Sequence, residues 1–188
     1  MKDDTIITTA GRDPKNNFGI VNPPVYHAST IVSETVAELH DKRDKRWEPG
    51  VYTYGRQGTP TTEALEQAMA AVEGGWRGMT VACGLAAINA AMLAFLKSGD
   101  HVLMVDSTYG PARNFCNNFL GRFGVETTYY NPNIGARIKD LIQDNTKIVY
   151  TESPGSLTFE VQDIPAIAAE AHKRGVVVIM DNTWSAGH

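Results

Sequence analysis

The sequence predicts an α/β protein with a mainly parallel sheet covered by helices. From Thr61 onward, strand and helix candidates alternate to the end of the chain. The last strand candidate, Val176-Val177-Val178-Ile179-Met180, is apolar at every position, the pattern of a strand covered on both faces. Glycines punctuate the helix candidates at Gly74-Gly75, Gly99, Gly124 and Gly175, where a helix stops and an extended run begins.

The first 60 residues read differently. Met1 to Thr30 carries Gly11, Pro14, Gly19, Pro23 and Pro24 between short apolar clusters and is expected to be an extended arm. Ser33 to Trp47 is expected to be helical, with Ser33 as N-cap and Val36, Leu39 and His40 on one stripe. Glu48-Pro49-Gly50 breaks that helix, and Val51 to Pro60 is rich in Tyr, Gly and Arg. Such a segment is too long for a connection within one domain, so residues 1–60 are expected to lie across a partner subunit. Residues 61–188 are expected to be the first part of a large α/β domain.

In that part, Thr61 or Thr62 is expected to cap a helix with Ala64, Leu65, Ala68, Met69 and Val72 on one face. Met79 to Ala82 is a short strand candidate, followed by an apolar helix from Leu85 to Lys97. Strand His101 to Asp106 leads to a helix over Pro111 to Phe123, with proline in its first turn. Strand Val125 to Tyr130, a short helix from Ile134 to Ile142 and strand Lys147 to Thr151 come next. The Glu152 to Ser156 loop leads to a brief extended piece, helix Ile164 to Arg174 and the final strand.

Seventeen basic and 21 acidic residues give a formal charge of −4, with no basic surface for nucleic acid. The cluster Lys42-Arg43-Asp44-Lys45-Arg46 is interrupted by acid and reads as a solvated helix face. No apolar run approaches the roughly 20 residues that span a bilayer, and Met1-Lys2-Asp3-Asp4 leads into no apolar segment, so a cytoplasmic location is expected. Cys83 and Cys116 lack CxxC spacing or a histidine companion and are expected to be reduced thiols, with no metal site. His27, His101 and His172 have no ligand spacing and read as structural.

Four places carry chemistry. In Cys83-Gly84-Leu85-Ala86-Ala87 a lone glycine and small residues open a helix, leaving first-turn N–H groups free to seat one phosphate; tight helix packing is the alternative. Asp181 ends a buried strand at the edge where open α/β sheets bind ligands, and could pair with a cationic ring nitrogen or cap the Asn182-Thr183 turn. Tyr109, in the Thr108-Tyr109-Gly110-Pro111 turn at the same edge, could stack on a flat ring or be an ordinary loop tyrosine. Alternation along an extended segment would send Tyr54 and Arg56 to one side, where phenol and guanidinium suit a phosphate; a turn-rich surface loop is the alternative.

Together, five segments in order resemble the Cys/Met-metabolism family of pyridoxal-phosphate enzymes, which have the aspartate-aminotransferase-like fold. They are Tyr54-Gly55-Arg56-Gln57-Gly58-Thr59-Pro60-Thr61, Ala82-Cys83-Gly84-Leu85-Ala86-Ala87, Gly99-Asp100-His101-Val102-Leu103, Glu152-Ser153-Pro154-Gly155-Ser156 and Asp181-Asn182-Thr183-Trp184. The resemblance implies pyridoxal 5'-phosphate as cofactor. Gly84 and Leu85 would donate backbone N–H groups to its phosphate, Tyr54 and Arg56 would reach that phosphate from a neighbouring subunit of a homodimer or homotetramer, Tyr109 would stack on the ring, Asp181 would bind its nitrogen and Thr183 would help position it. Tyr54 and Tyr109 would assist the incoming amine.

Within the family, Glu152-Ser153-Pro154-Gly155-Ser156-Leu157-Thr158-Phe159-Glu160-Val161 resembles the bacterial beta-lyase version of this loop, where synthases and gamma-lyases usually carry Asn-Pro. Thr9-Ala10-Gly11-Arg12 and Asp181-Asn182-Thr183-Trp184 point the same way. The implied reaction is beta-elimination of L-cystathionine to homocysteine, pyruvate and ammonia in methionine biosynthesis. A gamma-lyase or transsulfurating synthase, or an inactive truncated chain, is the alternative. The family's cofactor-bearing lysine and substrate-gripping arginine match nothing before His188, so the 188 residues are expected to be the front of an enzyme, inactive alone.

Overall fold

The computed structural model describes residues 3–186, which form two compact units, one reaching to Thr80 and one spanning Val81–Ala186. The first unit contains three helices, α1 (Asp3–Thr9), α2 (Val36–Asp44) and α3 (Pro60–Val72). An extended arm was expected over Met1 to Thr30, yet α1 forms there and packs on α3. Gly11 explains part of the fit, because a Cβ there would come 2.5 Å from the Ala64 carbonyl oxygen.

Both predicted N-caps shift by a few residues. For α2, Thr35 rather than Ser33 accepts the Glu38 N–H at 3.1 Å, and Glu38 reaches back to the Glu34 N–H at 2.7 Å. The glutamate three residues along decides the position, since it can satisfy a second free amide. For α3, the cap is Thr59, and Thr62 accepts its N–H at 2.8 Å while Pro60 occupies the first turn. Thr61 instead accepts the Tyr26 N–H at 2.8 Å and donates to the Pro24 carbonyl at 2.9 Å, tying the proline-rich run to α3.

Met79 to Ala82 forms no strand. The Glu66 carboxylate accepts both the N–H and hydroxyl of Thr80, at 2.8 and 2.9 Å, so a helix side chain satisfies the backbone that a ladder would have paired. Gly78 permits the approach: a Cβ would meet the Glu66 carbonyl at 2.5 Å.

The second unit begins with α4 (Gly84–Leu93), shorter than the predicted helix to Lys97. Beyond it, Asp100 accepts the Lys97 N–H at 2.8 Å and fixes the turn into the sheet. Strands β1 (His101–Val105), β2 (Glu126–Tyr130), β3 (Thr146–Glu152) and β4 (Val177–Asp181) form one sheet in the order β2-β1-β3-β4, and every ladder is parallel. The helix expected over Pro111 to Phe123 is a run of changing pitch: α5 (Gly110–Asn114), a π turn over Phe115–Phe119 and a 3-10 turn over Leu120–Phe123. Gly124 stops it at φ +76°, where a Cβ would meet the Ser98 hydroxyl at 2.8 Å. The segment expected to be helical over Ile134 to Ile142 is a 3-10 turn, Gly135–Asp140, and α6 (Ile164–Lys173) is capped by Asp163.

The period of two in β1 divides the core. Val102 and Met104 pack with Ile88 and Met92 of α4, Phe115 and Leu120 on one face. Leu103 and Val105 pack with Ile138, and with Ile167 and Ala171 of α6, on the other. All four β1 side chains are fully buried, each contributing about 1.5–3 kcal/mol relative to exposure. Among the described residues β4 pairs only with β3, so Val177, Val178 and Ile179 are half-buried and Met180 is 38% exposed rather than covered on both faces. At the opposite end of the strands, His101 sits between the Thr146 and Thr128 hydroxyls at 2.8 and 2.9 Å, joining three strands.

Candidate active site at the carboxyl edge of the sheet

Parallel strands bring all their carboxyl ends to one edge, and the four-residue segment after β1 meets Glu152 of β3 there. Glu152 and Asp181 are register partners across the β3–β4 ladder, so their side chains leave adjacent strands on the same face. Tyr150, two residues before Glu152 and therefore on that face too, donates its hydroxyl to Asp181 Oδ2 at 3.3 Å. Asp181 Oδ1 accepts the Thr183 N–H at 3.1 Å and its hydroxyl at 2.6 Å. The turn-capping role thus occupies one carboxylate oxygen and leaves the other with a single long contact.

Glu152, which sequence reasoning used only as part of a loop motif, is buried and central. Its Oε2 accepts the backbone N–H of Tyr109 at 2.6 Å and the Thr108 hydroxyl at 3.4 Å. Burial raises its pKa above the ordinary carboxyl value; the Asp181 charge pushes the same way, while the Tyr109 and Thr108 hydrogen bonds oppose both. The same burial, reinforced by Asp181, raises the Tyr150 phenol, which stays a donor. The loop after β3 is sewn to the loop after β1 by the Ser156 N–H on the Ser107 carbonyl at 2.7 Å, and Gly155 allows this because a Cβ would strike the Ser107 hydroxyl at 2.5 Å. Tyr109 projects from this tethered turn with its side chain partly exposed.

The N-terminus of α4 is open. Cys83 stands at the cap with no side-chain hydrogen bond to the helix, and a Cβ on Gly84 would meet nothing within 4 Å. A seven-residue connection joins Leu93 to His101, and α4 packs through Ile88 and Met92 on Val102 and Met104 of β1. Leu85 lines a cavity with Pro111 of α5, two residues beyond Tyr109. The second unit gathers Tyr109, Glu152, Asp181 and Thr183 at one edge, with Leu85 beside Pro111. Free N–H groups, an aromatic ring and a carboxylate fit a phosphorylated aromatic cofactor.

Tyr54 and Arg56 belong to the first unit. Gly55–Gln57 is a 3-10 turn rather than the expected extended segment, closed by the Gln57 N–H on the Tyr54 carbonyl at 2.8 Å, and Gly55 packs so closely on Ala28 that a Cβ would lie 1.7 Å from its carbonyl oxygen. The turn still brings the pair together, with the Arg56 guanidinium 5.7 Å from the centre of the Tyr54 ring. Tyr54 forms an antiparallel bridge with Thr30, and its hydroxyl accepts from Ser29 at 3.3 Å. Glu63 of α3 braces the preceding residues, accepting the Gly50 N–H at 3.0 Å and the Tyr52 hydroxyl. Among the described residues no group of three His, Cys, Asp or Glu side chains could hold a metal, and no helix is long and apolar enough to cross a membrane.

An all-parallel sheet with this edge defines an aminotransferase-like domain for pyridoxal phosphate. Its likeness to the crystal structure of metB from Corynebacterium glutamicum has a TM-score of 0.88 at 30% identity, covering 100% of this chain and 46% of that one. The chain belongs to the Cys/Met metabolism PLP-dependent enzyme family, whose model matches residues 4–188, and its cofactor is accordingly pyridoxal phosphate. A Rhizobium johnstonii protein provisionally named a cystathionine beta-lyase is 51% identical over 96% of this chain and 44% of its own length. The cystathionine beta-lyase of Escherichia coli is 43% identical over 98% of this chain and 47% of its own. An L-alanine/L-glutamate racemase of Wolbachia pipientis is 38% identical over 98% of this chain and 47% of its own. The chain spans about half the length of the curated relatives it matches.

Proposed function

We propose that the protein works as a pyridoxal-phosphate-dependent carbon–sulfur lyase, eliminating the beta substituent of L-cystathionine or a related sulfur amino acid to give a thiol, pyruvate and ammonia. The observation that carries the reading is the carboxyl edge, where Asp181 keeps one lightly engaged carboxylate oxygen beside the turn that presents Tyr109. When bound, pyridoxal phosphate supplies an electron sink for charge developing at the substrate's alpha carbon.

The chain's own residues then have definite tasks. The Gly84 and Leu85 N–H groups bind the phosphate, with the partial positive charge of the α4 N-terminus behind them. Asp181 holds a proton on the ring nitrogen, which strengthens the sink, and Thr183 keeps that carboxylate in place. Tyr109 covers the ring, and Tyr109 and Tyr54 assist deprotonation of the incoming amine, one of them as the phenolate that accepts its single proton. Tyr54 and Arg56 act on the phosphate of a neighbouring subunit in a homodimer or homotetramer. Cytoplasmic surroundings would keep the free thiols Cys83 and Cys116 reduced.

The racemase relative supports a second reading, because it shares this portion of the chain at 38% identity. Retention of the beta substituent with inversion at the alpha carbon would then be the reaction. The full-length protein incubated in separate reactions with L-cystathionine and with L-alanine separates them. Pyruvate and homocysteine in equal amounts support the lyase, 2-oxobutyrate would point to a gamma-lyase, and racemised alanine without pyruvate would replace the lyase reading.

A further inference from the structure

We infer that Glu152 is a positioning residue, which fixes Tyr109 over the cofactor by gripping its backbone N–H from the neighbouring strand. The inference rests on the proposed role of the Tyr109 ring. Tyr109 is the last residue of the four-residue segment between β1 and α5 and the N-cap of α5, and no side chain caps that helix. Its N–H is satisfied from β3, by a carboxylate oxygen 2.6 Å away. That is the short, strong class of hydrogen bond, and it comes from a strand whose backbone is held on both sides by ladders. The Thr108 hydroxyl adds a second, longer contact to the same oxygen at 3.4 Å. The backbone of the turn is therefore anchored to the sheet while the ring stands free, 43% exposed.

A carboxylate is a costly way to satisfy one amide here. Glu152 is only 7% exposed and stands in register with a second acid, Asp181. A neutral glutamine would accept the same N–H without desolvating a charge or facing another. The charged group gives the tighter grip, and its position between Tyr109 and Asp181 links the residue above the ring to the residue at its nitrogen.

The test uses the full-length protein, first stripped of cofactor. Hydrogen exchange of the peptide containing the Tyr109 amide is compared for wild type, Glu152→Ala, Glu152→Asp and Glu152→Gln. Loss of the acceptor in Glu152→Ala, or its withdrawal by one methylene in Glu152→Asp, should speed exchange about tenfold, whereas Glu152→Gln should stay within about threefold of wild type. After reloading, pyridoxal phosphate should leave the Asp and Ala variants about tenfold faster, with rescue by Gln, while their melting temperatures stay within a few degrees of wild type. Wild-type exchange at Tyr109 in both the Ala and Asp variants would overturn the tether. So would equal cofactor loss in all three variants tracking their melting temperatures, which marks a general structural role. If Glu152→Ala does not fold, the Asp and Gln pair decides alone. Failure of the wild-type protein to take up pyridoxal phosphate would sink the functional reading, and the exchange data on stripped protein would still separate tether from no tether.

Discussion

The Tyr150 hydroxyl donates to Asp181 Oδ2 across the β3–β4 ladder at 3.3 Å, and the Tyr150 carbonyl in turn accepts from the Tyr130 hydroxyl at 3.0 Å. Tyr150 is fully buried, so this donor reaches the sheet edge from inside the core. Tyr150→Phe keeps the packing and removes the donor. It should cost about 0.5–1.5 kcal/mol of stability by chemical denaturation and leave Asp181 oriented by Thr183 alone. A variant as stable as wild type would show that the contact contributes nothing.

Gly55 has no room for a side chain, since a Cβ would lie 1.7 Å from the Ala28 carbonyl oxygen. Backbone must move to accept Gly55→Ala, at a cost of about 2–3 kcal/mol. The movement would displace Tyr54 and Arg56 on either side. Cofactor affinity should fall in Gly55→Ala, and also in Arg56→Ala if Arg56 serves a neighbour's phosphate, since losing a charged ligand across an interface costs about 2–5 kcal/mol. Equilibrium titration with pyridoxal phosphate measures both, and wild-type affinity in Arg56→Ala would remove that residue from the site.

His101 should make stability sensitive to mild acid. Burial lowers its pKa, against a weaker opposing pull from Glu126, and its ring lies between the Thr128 and Thr146 hydroxyls. The unfolded chain takes up the proton near pH 6.5 while the folded chain resists it. Its contribution is therefore full above about pH 6.5 and is lost as the pH falls through the lower folded value. Denaturation midpoints across this range should fall more steeply for wild type than for His101→Gln. Parallel curves would exclude the histidine as the cause.

Glu152 carries the opposite sign. Its pKa is raised by burial and by Asp181, so the folded chain holds a proton that the unfolded chain releases near pH 4.5. The stability it contributes is present below that value and is lost as the pH rises through the folded value. Glu152→Gln should accordingly gain on wild type between acid and neutral pH. A difference in unfolding free energy that stays flat with pH would contradict the raised pKa.

The sheet was largely legible in the sequence because its signals are local: apolar runs at 102–105, 148–150 and 176–180, with Gly99, Gly124 and Gly175 stopping the helices ahead of strands, leave little choice of element. The caps at Thr35 and Thr59 were missed by two residues because threonines and serines cluster there, and only the reciprocal partner selects one. Met79 to Ala82 failed as a strand for a non-local reason, since Glu66 of α3 satisfies Thr80. At the candidate site, Asp181 was singled out because it ends a strand, and Tyr109 because its turn follows one, at the edge where such sheets bind ligands. Glu152 looked like one letter of a loop motif, and its grip on Tyr109 depends on a strand crossing that sequence spacing does not display.

The shared-site arrangement can be tested by complementation. Tyr54 and Arg56 lie in the first unit, and Gly84, Tyr109 and Asp181 in the second. If the first pair serves a neighbour's cofactor, Arg56→Ala and Asp181→Asn damage different halves of each site. Each homo-oligomer would then have every site impaired. A mixed dimer places both lesions in one site and leaves the other intact, so random exchange should restore up to roughly a quarter of wild-type turnover, half the dimers being mixed and half their sites undamaged. Pyruvate formation from cystathionine after denaturation and joint refolding of the full-length variants measures the recovery, with native mass spectrometry of differently tagged subunits verifying exchange. Recovery supports sites built from two chains. Verified mixed dimers with no more activity than their parents would put Arg56 and Asp181 in the same subunit's site or remove one of them from it.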